Sequence, residues 1–228
     1  MQEKVNKVLE LLNKRYVSHP WHGIEIGEKS PEIVNAYIEI IPADTIKYEI
    51  DKPTGMIMVD RPQKLSNNMP CLYGFVPKTV CDKGIAAYAN EKTGRTDIVG
   101  DNDPLDICVL SERGFLHNNI LCEAKVIGGF RMIDGGEADD KIVAVLKGDQ
   151  AYGHFNDISE MPKMVIDRTR HFFLTYKDLD GGAKNVEITH VYGREEALKV
   201  VELAAKDYSD KYGDVNAQLA EALIEACK

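Results

Sequence analysis

The stretch Ile46-Lys47-Tyr48-Glu49-Ile50 alternates apolar and charged side chains without a break, the period of two that a half-buried β-strand requires. Ile46, Tyr48 and Ile50 share one face, and Lys47 and Glu49 share the other. Outward from it, the chain offers further short, β-branched runs set off by Pro, Gly and Asn: Ile33–Ile41, Gly55–Val59, Ile107–Leu110, Ile120–Ile127, Lys141–Val145 and Glu187–Tyr192. Many short strands without helices between them predict a mainly β, α+β fold: a small closed antiparallel β-barrel flanked by a few α-helices.

The helices read from their own period. Val5, Val8, Leu9, Leu12 and Tyr16 recur at helical spacing before Ser18-His19-Pro20 stops them. A second helix is expected from Ser159, as cap, and Pro162 to about Leu179, where Asp180-Gly181-Gly182 ends it. A third starts near Arg194 and turns Ala197, Val200, Val201 and Ala204 inward, and Val215 to Lys228 is Ala-rich and helical. Tyr88 to Arg95 reads as a hairpin extension around Gly94. No repeat or linker divides the chain, so residues 1–228 are expected to form one domain, with helix 1–18 and the helical tail 194–228 added to the barrel.

The 228 residues carry 28 Lys and Arg against 37 Asp and Glu, a net charge of −9. Sequence-independent nucleic-acid binding needs clustered basic residues, and an anionic membrane surface repels this charge. Neither partner is expected, whereas a small anionic substrate remains compatible if divalent cations mediate. No run of 18 apolar residues suggests a spanning helix. The five cysteines (Cys71, Cys81, Cys108, Cys122, Cys227) form no C-x-x-C pair, which fits reduced thiols and a cytoplasmic location.

Chemistry concentrates in Asp101-Asn102-Asp103-Pro104-Leu105-Asp106. Three carboxylates within six residues repel one another unless cations offset them, and hard divalent ions such as Mg²⁺ or Mn²⁺ prefer such oxygen donors. The spacing is not that of an EF-hand, which needs a Gly where Asp106 stands. Taken alone, the loop is equally a solvated turn. A second acidic cluster, Asp134 to Asp140, falls between two strand candidates and reads as a charged hairpin tip, unless both clusters meet at one barrel mouth. Lys47, Arg61 and Lys141 lie in or beside strands, where inward-facing charges are costly without partners.

These blocks together resemble the family I soluble inorganic pyrophosphatases. Asp101-Asn102-Asp103-Pro104-Leu105-Asp106-Ile107 looks like that family's signature. Tyr37-Ile38-Glu39-Ile40, Ile46-Lys47-Tyr48-Glu49, Val59-Asp60-Arg61, Pro70-Cys71-Leu72-Tyr73-Gly74-Phe75, Asp134 with Asp139-Asp140-Lys141, and His171-Phe172-Phe173 with Tyr176-Lys177 follow in the family's order. The resemblance spans roughly Trp21 to Val201. It implies an OB-like barrel that uses Mg²⁺, with Mn²⁺ as a substitute, to hydrolyse pyrophosphate to two orthophosphates, and a homo-oligomer. By the same resemblance Asp101, Asp106, Asp134, Asp139 and Glu39 hold metals, and Asp103 is the base for the attacking water. Lys47, Arg61, Tyr73, Lys141, Tyr176 and Lys177 contact phosphate, with Glu49 orienting the cations beside it.

Two departures stand out: Met69 occupies a place where many members have Tyr, and Lys78 to Gly100 is longer than the matching link in short bacterial members. The alternatives are a metal-dependent hydrolase of organic diphosphates and a barrel that only sequesters cations. No G-x-x-x-x-G-K-[ST] loop supports a nucleotide substrate. His19-Pro20-Trp21-His22 reads as a packed Trp beside surface histidines, since a metal site would need a third ligand.

Overall fold

In the computed structural model, residues 2–64, 66–177 and 186–226 are described. In chain order the elements are α1 (Gln2–Arg15), β1 (Ile33–Ile40), β2 (Ile46–Ile50), β3 (Ile57–Pro62), β4 (Leu72–Phe75), α2 (Lys83–Thr93), β5 (Val99–Gly100), β6 (Asp106–Leu110), β7 (Ile120–Asp134), β8 (Glu137–Ala138) and β9 (Lys141–Leu146). A 3₁₀ turn at Ile158–Glu160, α3 (Lys163–Thr175), β10 (Val186–Gly193), α4 (Arg194–Tyr212) and α5 (Val215–Ala226) complete it.

The expected barrel is there. β1 pairs with β4 and β7, β4 with β6, β6 with β9, and β9 with β7, which closes a ring of five strands. One seam differs from the antiparallel expectation: β6 and β9 run parallel, with Asp106 opposite Lys141. That seam sets the starts of two strands side by side and delivers a carboxylate and an ammonium to the same end of the barrel. β2 and β3 form a separate hairpin, and β10 extends β7.

Both faces of the central strands are buried. Ile107, Val109, Ile142 and Ala144 pack with Ile85 and Ala89 of α2 and with Val200, Val201 and Ala204 of α4. Cys108, Leu110, Val143 and Val145 pack on the other face with Phe172 and Phe173 of α3. Strands covered twice lose alternation and read as continuous apolar runs, as Ile142-Val143-Ala144-Val145 does.

Three local expectations are corrected. Tyr88 to Arg95 is not a hairpin: α2 runs through Thr93, and Gly94, at φ 70°, is its left-handed C-cap, donating to Asn90 O. The N-terminus of α2 is capped from α4, where Asp207 accepts from Asp82 N (3.1 Å), Gly84 N (2.9 Å) and Ile85 N (3.0 Å). Asp157 rather than Ser159 is a cap, and it caps the 3₁₀ turn before α3: its carboxylate accepts from Ser159 N at 2.9 Å, while α3 starts after Pro162 without a side-chain cap bond. α3 ends at Thr175; the stop expected at Leu179 and Asp180-Gly181-Gly182 lies outside the described residues, as does Cys227.

β4 escapes the alternation rule because it is four residues long and contains Gly74. A Cβ at Gly74 would stand 1.8 Å from Tyr37 O, so only glycine lets β1 and β4 approach. At the far end of β7, Gly135 and Gly136 take φ of 60° and 91° and make the two-residue turn into β8 that the acidic hairpin tip requires.

Trp21 is buried, with Nε1 donating to Thr79 O at 2.7 Å, and His22 Nδ1 meets Tyr208 Oη at 2.8 Å. The packed-Trp expectation holds. Among the described residues no helix is long and apolar enough to cross a membrane.

Candidate active site

The acidic loop between β5 and β6 is splinted by the segment before α2. Cys81 N donates to Asp103 O (2.9 Å), Asn102 N to Cys81 O (3.0 Å), and Leu105 N to the Thr79 hydroxyl (2.9 Å). Asn102 takes φ 62°, a left-handed turn that Asn tolerates, so the chain reverses between Asp101 and Asp103. Asp103 N then donates to Asp101 Oδ1 at 2.9 Å.

This loop opens into a cavity of about 260 Å³ at the barrel mouth. Glu39 comes from the end of β1, Lys47 and Glu49 from β2, Tyr73 from β4, and Asp106 from the start of β6. Asp134 closes β7, Asp139 lies on the crossing between β8 and β9, Lys141 opens β9, and Tyr176 and Lys177 follow α3. Every expected site residue except Arg61 lines this one cavity. Arg61, on β3, lines an adjoining cavity of about 320 Å³ that shares Tyr176 and Lys177, so it stands at the rim.

Each ammonium is held by carboxylates. Lys141, with only 3% of its side chain exposed, pairs with both Asp106 and Asp139. Lys177 pairs with Asp134, and Lys52 with Asp103. Lys47 Nζ donates to Glu49 at 2.8 Å and to Asp60 at 2.6 Å, and Asp60 also accepts from Arg61. Tyr73 Oη donates to Asp106 at 2.6 Å, and Ile50 N donates to Glu39 Oε1 at 2.7 Å.

The electrostatics are lopsided. Glu39, Glu49, Asp101, Asp103, Asp106, Asp134, Glu137 and Asp139 face Lys47, Lys52, Lys141 and Lys177, eight carboxylates against four ammoniums. Burial, then the Asp106 charge, pushes the Glu39 carboxyl up to about 8. Burial, then Asp139, pushes Asp101 up to about 8. Burial alone would lower the Lys141 pKa, but Asp106 and Asp139 outweigh it and hold it well above the ordinary lysine value.

Among the described residues, no three or more His, Cys, Asp or Glu side chains are gathered tightly enough to enclose a metal. The five expected ligands line one cavity but do not turn toward one another: Asp106 and Asp139 pair with Lys141 and Asp134 with Lys177, while Asp101 and Glu39 accept from the backbone N–H groups of Asp103 and Ile50, as repelling carboxylates do without a shared cation. The donor set nevertheless fits a hard divalent ion: all oxygen, with negative charge in excess and two acids already driven toward protonation.

Sequence reasoning assigned no role to Asp60, Lys52 or Glu137. Asp60 stood in the quoted Val59-Asp60-Arg61 block, which was its only signal. Glu137 stood within the second acidic cluster, and Lys52 had no signal, because its position depends on how the turn after β2 folds over the mouth. Lys92 and Arg95, in the segment longer than its counterpart in short bacterial members, pair with Glu196 and with Asp97 and Glu187 rather than with groups of the cavity.

A closed barrel with a cation-hungry acidic mouth and lysines held ready among the acids defines a protein that handles a polyanion through divalent metal. The comparisons make this specific. The family model described as inorganic pyrophosphatase matches residues 36–209. An inorganic pyrophosphatase of Chlamydia caviae is 48% identical over 201 residues, covering 86% of this chain and 93% of that one. The soluble inorganic pyrophosphatase 1 of Arabidopsis thaliana is 37% identical over 90% of this chain and 87% of its own. The crystal structure of the Thermus thermophilus inorganic pyrophosphatase superposes with a TM-score of 0.71 at 31% identity, covering 85% of this chain and 99% of that one. The chain belongs to the family I soluble inorganic pyrophosphatases. Membership carries a divalent-metal requirement with it.

Proposed function

We propose that the barrel mouth hydrolyses inorganic pyrophosphate to two orthophosphates with Mg²⁺ as the activating ion and Asp103 as the base. Membership in the family supplies the reaction, and the chain is an inorganic diphosphatase. The observation that carries the rest is the acidic loop Asp101–Asp106 opening into the same cavity as Lys47, Lys141, Lys177, Tyr73 and Tyr176.

Asp101, Asp106, Asp134, Asp139 and Glu39 are the residues that would hold the cations. All are carboxylates, which favours Mg²⁺, with Mn²⁺ as a substitute. Such ions lower the pKa of water toward about 7 and neutralise charge on phosphate oxygens. Asp103 stands between Asp101 and Asp106 with half its side chain exposed, where it can take the proton of the attacking water.

Phosphoryl transfer depends on positioning and charge stabilisation. Lys141 and Lys177 are held by the carboxylates that would hold the cations, so both would be available to phosphate with those carboxylates occupied. Lys47 is aimed by Glu49 and Asp60. Arg61, at the rim, can grip a phosphate with two parallel hydrogen bonds. Tyr73 and Tyr176 donate hydrogen bonds without adding charge.

The same reading treats residues 1–228 as one domain in the cytoplasm, working as a homo-oligomer. Free Cys71, Cys81, Cys108 and Cys122 support a reducing setting. α1 and α5 lie outside the matched residues 36–209, pack on each other, and leave Leu11, Leu219 and Leu223 exposed, which supports a role in contacts between copies.

Phosphate release from pyrophosphate and from ATP, each with and without Mg²⁺, tests the proposal. Fast, Mg²⁺-dependent release from pyrophosphate is expected; faster release from ATP overturns the substrate assignment.

A further inference from the structure

Behind the segment that carries Asp139 and Lys141 lies a buried polar cluster that the reaction as described leaves unused. Asp139 and Lys141 face the cavity, and Asp140 between them points into the protein, 2% exposed. Arg131 Nε, from β7, stands 2.8 and 2.9 Å from the two Asp140 oxygens, with both side chains 1% exposed. Tyr192 Oη, from β10, donates to Asp140 at 2.9 Å, and Arg131 Nη2 donates to Glu196 of α4 at 3.3 Å. The guanidinium carbon sits 5.1 Å and 5.4 Å from the ring centres of Tyr88 and Tyr192. Among the described residues, Arg131 Nη1 is a buried donor with no hydrogen-bond partner.

This cluster sits where the sheet ladder lapses. Phe130 pairs with Lys141 in the β7–β9 ladder, and Ile133 pairs with Ala138 in the β7–β8 ladder. Between those pairs, residues 139 and 140 cross from one strand to the next, with Asp139 N donating to Met132 O at 3.0 Å. The side-chain pair therefore does at this crossing what ladder hydrogen bonds do elsewhere. A buried ion pair is seldom worth more to stability than apolar side chains of the same volume, and here it also leaves a donor unsatisfied. Its benefit has to be sought in orientation.

We propose that Arg131 is a positioning residue for the reaction: by clamping Asp140 from behind, with Tyr192, it fixes the directions in which Asp139 and Lys141 enter the cavity. The proposal rests on the function given above, in which Asp139 holds a cation and Lys141 a phosphate. Groups that orient metal ligands from outside typically change metal affinity or activity by about 10–100-fold when removed.

The test uses the full chain, the double variant Arg131→Met with Asp140→Leu, and the variant Tyr192→Phe. Mn²⁺ binding is titrated by calorimetry without substrate, melting is recorded, and kcat and KM are measured with Mg²⁺ and pyrophosphate. The double variant is expected to melt cooperatively like the parent, to bind Mn²⁺ about 10–100-fold more weakly, and to lose kcat by a similar factor while KM rises. Tyr192→Phe, which removes one oxygen and keeps the ring, is expected to shift the same quantities severalfold in the same direction. A double variant that melts like the parent and keeps Mn²⁺ affinity and kcat within about twofold overturns the proposal. If that variant does not fold, Tyr192→Phe decides by the same criterion. If the parent binds Mn²⁺ yet releases no phosphate from pyrophosphate, the functional reading fails, and the titration still decides the role of Arg131.

Discussion

Lys52, on the turn that follows β2, is paired with Asp103, the carboxylate assigned as base. The two side chains are 53% and 48% exposed, and an exposed pair contributes no more than about 1 kcal/mol to folding. Asp103→Asn should therefore melt like the parent. Turnover should fall by about 10²-fold or more, the scale of a lost general base. Steady-state phosphate release beside a thermal melt checks both halves; undiminished turnover removes Asp103 from its role.

Glu39 and Asp101 both titrate near 8 in the folded, metal-free chain, against ordinary values of 4.5 and 3.8. The folded state holds more protons than the unfolded state between those limits, so stability falls as pH rises toward about 8 and levels off above it. Mg²⁺ should reverse the trend, because cations compete with protons for the same oxygens, and binding near pH 7 should release about two protons. Calorimetry in two buffers of different ionisation enthalpy measures the release. A metal-free melting temperature that climbs between pH 6 and 8 contradicts this account.

Lys141 is nearly enclosed between Asp106 and Asp139. Lys141→Met leaves two partly buried carboxylates, 22% and 18% exposed, without their counter-ion, which costs at most about 3–5 kcal/mol, the scale of a fully buried pair, when nothing replaces it. A divalent cation can replace it. The variant should melt well below the parent in chelator and regain much of the difference with Mg²⁺, while turnover stays low. A melt insensitive to Mg²⁺ would separate Lys141 from the cation-binding acids.

Asp207→Ala removes the carboxylate that accepts three backbone N–H groups at the start of α2. Loss of a helix cap costs about 1–2 kcal/mol, or about 3–6 °C in melting temperature for a chain of this size. Replacing Asp82, which makes no side-chain cap bond, should cost less. Equal losses from the two substitutions would assign the cap wrongly.

The strands were legible because they announce themselves locally: Ile46 to Ile50, in the hairpin beside the barrel, by alternation, and Ile142 to Val145, in the barrel itself, by an unbroken apolar run. β4 was not, since Gly74 is explained by the carbonyl of Tyr37 on another strand. α2 was misread for a similar reason: Gly94 suits a hairpin turn and a helix C-cap equally, and the residue that settles the choice, Asp207, lies on α4. Most site residues were readable from their motifs. Lys52 and Arg131 were not, because their relevance lies in contacts with Asp103 and Asp140 across 51 and 9 positions of chain.

What the sequence determined by itself is chemical: an excess of acid, three aspartates within six residues, strands short enough to close on themselves, and blocks whose order identifies the family. These properties belong to neighbouring residues, so no knowledge of the fold is needed to see them. The tertiary structure alone decided which charges meet. The parallel β6–β9 seam brings Asp106 beside Lys141, and the crossing from β8 to β9 turns Asp140 away from the cavity toward Arg131. Interactions between charges depend on distance and on the surrounding dielectric, and strand closure sets both.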